Sequence, residues 1–277
     1  MSGEVIAAPV VGAAPAAAGV VRVTLRHTGR LNAMSRAMWR QLRSVFESIQ
    51  RSQDVRCVLM EGDGGAFCAG GDISEYPAFR FDAAQLRDFH EGDVWGGLQA
   101  MLDCDVPIVA HIAGACMGAG VEIASCCDMR VAGTSARFGA PIAKLGFPMA
   151  PREAQLVLSA VGEVAARQML LEASTFSATD MRVRGFLNRV VADDLLADDA
   201  LASACRIAAL APAAARMNKQ TLRALKVPLA QYQQALTAIN TEANAAVQAA
   251  VDPYAYASNA EHREGITAFL AKRAPIF

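Results

Sequence analysis

Between positions 21 and 191, short apolar runs alternate with stretches of helical period, and this alternation restricts the chain to an α/β architecture. Val21, Val23 and Leu25 interleave with Arg22, Thr24 and Arg26, the period of two of a half-buried strand. Met38, Leu42, Val45, Phe46 and Ile49 fall on one face of a helix. Residues 55–60 and 107–112 are apolar runs suited to buried strands, and Val131 and Phe138 lie in shorter strand-like stretches. Residues 83–102 and 151–173 read as long helices, the second with Pro151 in its first turn. Residues 118–127 read as a helix opening in glycines. Ser177 and Asp180 form an S-x-x-D capping box for a short helix ending near Gly185. Beyond Asp199 the character changes: ten of the twenty residues 197–216 are alanine, and no strand-like run follows. The expected organisation is an α/β core over residues 1–195 and a helical C-terminal region over residues 196–277.

Charge narrows the function classes. Lys and Arg number 26 against 27 Asp and Glu, a net charge of −1, so the chain is not a nucleic-acid binder that works by a globally basic face. Hydrophobic residues make up 53% and charged ones 19%, short of the usual charged share of about 25%. That balance excludes disorder and points to a small-residue surface or one partly covered in an oligomer. The seven cysteines are odd in number, include the adjacent pair Cys126 and Cys127, and contain no CxxC; they read as reduced thiols in a cytoplasm. The four histidines are scattered, without metal-ligand spacing. The Ala-rich start lacks Lys or Arg before it and is broken by Pro9 and Pro15, so it does not read as a signal peptide. Residues 106–121, uncharged but short and broken by Pro107, His111 and glycines, do not read as a membrane span of about 20 residues.

The chain lacks G-x-x-x-x-G-K-[ST], G-x-S-x-G and G-x-G-x-x-G. Two other glycine-rich segments stand out: Phe67-Cys68-Ala69-Gly70-Gly71-Asp72-Ile73, and Gly114-Ala115-Cys116-Met117-Gly118-Ala119-Gly120-Val121-Glu122. Each follows an apolar run and ends beside an acid. Such loops either make plain turns or aim backbone N–H groups at a ligand. The second also opens a helix, whose N-terminus favours an anion. Glu122 likewise has two readings, a partner of the helix dipole or a general acid/base in a poorly solvated pocket.

Together these segments resemble the crotonase, or enoyl-CoA hydratase/isomerase, family. Leu31-Asn32-Ala33-Met34-Ser35 resembles its LNAMS opening, and residues 67–73 its F-x-A-G-[AG]-D-[LI] signature. Residues 114–128 resemble its G-x-x-x-G-G-G-x-E-[LI]-A-x-x-C-D stretch. Phe138-Gly139-Ala140-Pro141 with Leu145-Gly146 resembles FGxPE-x-x-LG, and Arg263-Glu264-Gly265-Ile266 through Arg273 resembles its EG-x-x-[AS]-F-x-x-KR tail. The resemblance implies a ββα spiral core with a C-terminal helical oligomerisation region, assembling homotrimers or dimers of trimers. It implies an acyl-CoA thioester substrate, with coenzyme A entering as part of the substrate and no metal or separate cofactor.

By motif position, the N–H groups of Gly71 and Ala119 would bind the thioester oxygen as it becomes an enolate, and Glu122 would move the proton. Amides preorganised at developing charge typically supply about 3–4 kcal/mol each. Arg30, Ala33, Ala69, Gly70, Asp72, Ile73, Gly118, Pro141, Phe269 and Lys272 would lie along the acyl-CoA. Arg30 also reads as a solvated turn residue, and Ser74 replaces a lysine seen in some relatives. One departure matters most. The family's second acid follows the proline of FGxPE, and here Ile142 stands there. An isoleucine cannot activate water. A single acid can still shift a double bond, so isomerisation of an enoyl-CoA is the favoured reaction. Hydration or another lyase-type reaction with a non-standard second acid is the alternative, and a catalytically inactive acyl-CoA-binding protein is the alternative of another class. His90, Glu91, Asp93 and Glu153 are the candidates for the second acid. Against them, His90 also reads as an exposed helix histidine and Glu153 as a first-turn dipole partner.

Overall fold

The computed structural model describes residues 3–10, 18–225, 255–258 and 260–275. Residues 226–254 of the expected C-terminal helical region lie outside them. Six strands form the main sheet, in the spatial order β1 (Glu4–Pro9), β2 (Val20–Arg26), β3 (Cys57–Gly62), β4 (Ile108–Ile112), β6 (Met129–Gly133) and β9 (Arg189–Val191). β1 is antiparallel to β2, and the other neighbours are parallel. A second, three-stranded sheet holds β5 (Ala115–Met117), β7 (Arg137–Gly139) and β8 (Thr175–Ser177).

Helix α1 (Arg36–Arg51) is capped by Ser35, whose hydroxyl accepts the Met38 N–H at 3.2 Å. Its buried stripe of Met38, Trp39, Leu42, Phe46 and Ile49 belongs to one core with Val23, Leu25, Val58 and Met60 of the sheet. Emptying one such site, as in Leu42→Ala, costs about 2–5 kcal/mol. The opposite sheet face carries Val20, Cys57, Leu59, Val109 and Val131. Helix α8 (Leu196–Ala208) covers it through Leu196, Ala200, Ala204 and Ala208, spaced by four on one stripe. Alanines at these positions let the helix lie flat against the strands.

The remaining helices are α2 (Ala83–Arg87), α3 (Trp95–Asp103), α4 (Ala119–Cys126), α5 (Pro151–Val161), α6 (Glu163–Leu171), α7 (Ala178–Val183), α9 (Pro212–Leu225) and α10 (Ala260–Leu270). Two differ from the sequence expectation. Residues 151–173 form two helices because Gly162 sits at φ +82°, which ends α5 and turns the chain into α6. Residues 83–102 are helical throughout, but Asp88–Val94 widens into a π-helical turn between α2 and α3. That turn buries Phe89, His90, Asp93 and Val94. The capping box forms as expected, with Ser177 and Asp180 bonding each other's backbone N–H groups at the start of α7.

Candidate active site

The two glycine-rich loops are held together by backbone bonds. The Cys68 N–H donates to Ala115 O at 2.9 Å, and the Met117 N–H donates to Cys68 O at 2.8 Å. The first loop is tied equally to the segment before α1: Ala69 N–H reaches Leu31 O, Met34 N–H reaches Gly70 O, and Asp72 N–H reaches Met34 O, at 2.8–2.9 Å. Close approach explains the glycines. A Cβ at Gly120 would strike the Cys68 carbonyl, and one at Gly71 would strike the Tyr76 hydroxyl. Gly118 turns the second loop into α4 at φ +47°.

Between the loops lies a cavity of about 220 Å³. Gly71 and Ala119, the first residue of α4, both line it. Among the described residues neither N–H has a backbone hydrogen-bond partner. Ala69, Gly70, Ile73, Gly118, Pro141 and Phe269 line it as well. Trp39, Phe89, Val94, Met117, Ile142, Leu145, Phe147 and Met149 make the rest of the wall largely apolar.

Two carboxyl groups face this cavity. Glu122, from the first turn of α4, is buried, and its side chain has no hydrogen-bond partner among the described residues. Burial drives its pKa well above the usual carboxylate range; the charge of Glu153 raises it further, and Arg80 opposes. Glu153, from the first turn of α5, is buried too. Its pKa is pushed up to about 8, chiefly by burial, with Arg80 lowering it and Glu91 raising it. Its Oε1 lies 2.7 Å from His90 Nδ1. His90 is held well below its ordinary pKa by burial and by the charge of Arg80, against Glu91, so its ring is neutral at physiological pH.

The other candidates are placed elsewhere. Asp93 is buried between Arg36 Nε at 2.6 Å and Arg40 Nε at 2.7 Å. Glu91 pairs with Arg152 at 3.1 Å. Neither lines the cavity. Asp72 caps the short helix Ile73–Ala78, accepting from Ser74 N and Oγ, and pairs with Arg30 Nη1 at 2.9 Å. The Arg30 side chain is half exposed. Ala33 is buried and turns its carbonyl to His27 Nδ1 at 2.7 Å. Lys272 is exposed, just past the end of α10. His90, which also reads as a surface histidine from its charged neighbours, is instead buried at the cavity wall, within the π turn.

Arg80 and Tyr76 also line the cavity, and sequence reasoning did not single them out. Arg80 is 1% exposed, its guanidinium 4.4 Å from the Tyr76 ring and 3.9 Å from the Phe147 ring. The available signal was a lone cation inside the aromatic run from Tyr76 to Phe81. Among the described residues no group of His, Cys, Asp and Glu has the geometry of a metal site. No helix among them is long and apolar enough to cross a membrane.

An α/β core that presents two backbone N–H groups and buried carboxyls to one apolar cavity defines a class of acyl-CoA enzyme. The family model for enoyl-CoA hydratase/isomerase matches residues 15–277. A "probable enoyl-CoA hydratase" of Mycobacterium bovis is 31% identical over 261 residues, covering 92% of this chain and 93% of the relative. The 2,3-dehydroadipyl-CoA hydratase of Escherichia coli is 32% identical over 263 residues, covering 93% and 94%. A solved enoyl-CoA hydratase/carnithine racemase from Magnetospirillum magneticum superposes with a TM-score of 0.74 at 33% identity, covering 94% of this chain and 92% of that one. The chain belongs to the enoyl-CoA hydratase/isomerase family, in the crotonase superfamily, and has that family's fold.

Proposed function

We propose that this protein adds water to the double bond of a 2-enoyl-CoA, using Glu122 and Glu153 as its acid and base. The observation that carries this reading is that both carboxyls are buried in one cavity wall beside the Gly71 and Ala119 N–H groups. The thioester oxygen sits between those N–H groups, which stabilise it as it becomes an enolate. One carboxylate takes a proton from water as the hydroxyl adds to the β carbon. The protonated partner delivers its proton to the α carbon, so the pair ends with the proton exchanged between its members. Two carboxyls whose proton affinities are both raised, chiefly by burial, hold a single proton over an interval of pH, and that state is the reactive one.

Glu153 thus takes the place that Ile142 leaves vacant. Ile142 becomes part of the apolar wall that holds the acyl chain. Arg30 and Lys272, both exposed, meet the phosphates of coenzyme A, which serves only as the carrier of the substrate. Exposed Val164 and Leu171 on α6 suit a subunit contact, in keeping with a homotrimer or dimer of trimers. Seven unpaired cysteines suit the cytoplasm.

Isomerisation, the reaction favoured from the sequence, is the second reading. Its support is that the Glu122 carboxyl has no hydrogen-bond partner among the described residues, while Glu153 is engaged by His90. A purified-enzyme panel of 2-enoyl-CoA and 3-enoyl-CoA thioesters of matched length separates the two. Conversion of the 2-enoyl-CoA to a 3-hydroxyacyl-CoA supports hydration. Conversion of the 3-enoyl-CoA alone, with no hydroxylated product, supports isomerisation. Binding without turnover of either would leave an acyl-CoA-binding protein.

A further inference from the structure

We propose that His90, locked by Arg80 as the Nδ1–H tautomer, is the positioning residue that holds Glu153 by Oε1 and biases the shared proton toward Glu122. This deepens the two-carboxyl reading above and rests on it.

The tautomer follows from donor counting. A guanidinium offers only donors. Arg80 Nη1 lies 3.3 Å from His90 Nε2, so that nitrogen is the acceptor and the ring proton is on Nδ1. Nδ1 then donates to Glu153 Oε1 across 2.7 Å. A second histidine gives the same answer: Arg80 Nε reaches His262 Nε2 at 3.3 Å, and His262 Nδ1 faces the Ala257 carbonyl at 3.3 Å. The Tyr76 and Phe147 rings, in edge-to-face contact with each other, both lie against the guanidinium and hold it in place.

The chemical consequence lies in Glu153. One oxygen is held, and Oε2 has no partner among the described residues and is available to the cavity. An N–H donated to a carboxyl favours its ionised form. The groups that face this pair are Arg80, Glu91 and His90 from the segment around α2, Glu122 from α4 and His262 from α10. Among the described residues His90 is the one that bonds the Glu153 carboxyl itself.

The test uses the full-length enzyme with a 2-enoyl-CoA. Asn places its amide N–H close to the Nδ1 position, and Gln places its own close to Nε2. His90→Asn is expected to keep kcat/KM within about fivefold and to leave its pH profile in place. His90→Gln and His90→Leu are expected to lose at least ~10-fold, with the acidic limb moved to higher pH. Equal loss in the Asn and Gln variants, or an unmoved limb in all three, overturns the proposal. The wild-type protein supplies a readout independent of turnover and of variant folding. Imidazole 15N shifts, assigned by comparison with His90→Gln or by proximity to Arg80, must show a protonated Nδ1 and bare Nε2 between about pH 6 and 8. An Nε2–H tautomer overturns the assignment even if hydration is observed. Absence of turnover with the Nδ1–H tautomer present sinks the functional reading instead, and with it the proton bias, but leaves the lock standing.

Discussion

The charge on Glu153 raises the proton affinity of Glu122 across one cavity, although the two residues stand on different helices and 31 positions apart in the chain. The coupling makes them a unit, and each should be indispensable. Glu122→Gln and Glu153→Gln are each expected to lower kcat for hydration by about 10²–10⁴-fold while leaving substrate affinity within about threefold. Steady-state kinetics on the two variants checks this. Full turnover by Glu153→Gln would return the chemistry to Glu122 alone.

The same coupling sets a direction for pH dependence. One carboxyl must be ionised for water to be activated, so kcat/KM should rise with pH through an apparent pKa far above 4.5, the ordinary carboxyl value, and toward about 8, to which burial chiefly pushes Glu153. Replacing Glu153 by Gln removes the charge that raises Glu122. The first ionisation of that variant is then that of Glu122 alone, which burial still raises, so its residual activity should show an acidic limb at no lower pH than the wild type.

Stability should carry the mirror image of this effect. Glu153 has a folded-state pKa of about 8 against 4.5 when unfolded. A group raised in this way favours the folded state fully below the unfolded value, and that contribution is lost as pH rises through the folded one. Denaturant titrations of wild type and Glu153→Gln should diverge between pH 4.5 and about 9, the wild type losing more than about 1 kcal/mol relative to the variant. Parallel curves would contradict the raised pKa.

Gly71 offers a steric prediction. A Cβ there collides with the Tyr76 hydroxyl, and the ring carbon behind it stands 3.1 Å away. Gly71→Ala should therefore displace Tyr76 from the cavity wall and lower kcat/KM by about 10-fold or more through the N–H it misplaces. Adding Tyr76→Phe removes the worst contact and should recover part of that loss. No recovery in the double variant would mean that the glycine is needed for backbone shape alone.

Ile142 provides a gain-of-function counterpart. It lines the same cavity, and a carboxyl introduced there is within the site that Glu153 serves. Ile142→Glu in the Glu153→Gln background should raise hydration at least ~10-fold above Glu153→Gln by itself. No gain would indicate that Glu153 acts by position as well as by charge.

Much of the fold was legible because its signals are local. Val21, Val23 and Leu25 announce β2, the Met38–Ile49 stripe announces α1, and the glycines of both loops mark where backbones touch. The break at Gly162 was missed because a lone glycine inside an apolar period reads as tolerated until its φ is known. The site was legible only in part. Gly71, Ala119 and Glu122 stand in motifs, but Glu153 stands in the first turn of a helix, where an acid is ordinarily exposed. What makes it different is burial, in a place where His90 and Arg80 from the segment around α2 and Glu122 from α4 come together. The alanine-rich stretch beyond Asp199 marks a helical region in the sequence but does not show that Ala200, Ala204 and Ala208 lie on the chain's own sheet.

The most direct measurement is isotopic. Wild type and Glu153→Gln are incubated with a 2-enoyl-CoA in H₂¹⁸O, and the product is analysed by mass spectrometry. Two-carboxyl hydration predicts a 3-hydroxyacyl-CoA carrying one ¹⁸O from the wild type, formed at least ~100-fold more slowly by the variant. Wild-type turnover without ¹⁸O in the acyl product, or equal ¹⁸O incorporation by both proteins, would contradict it.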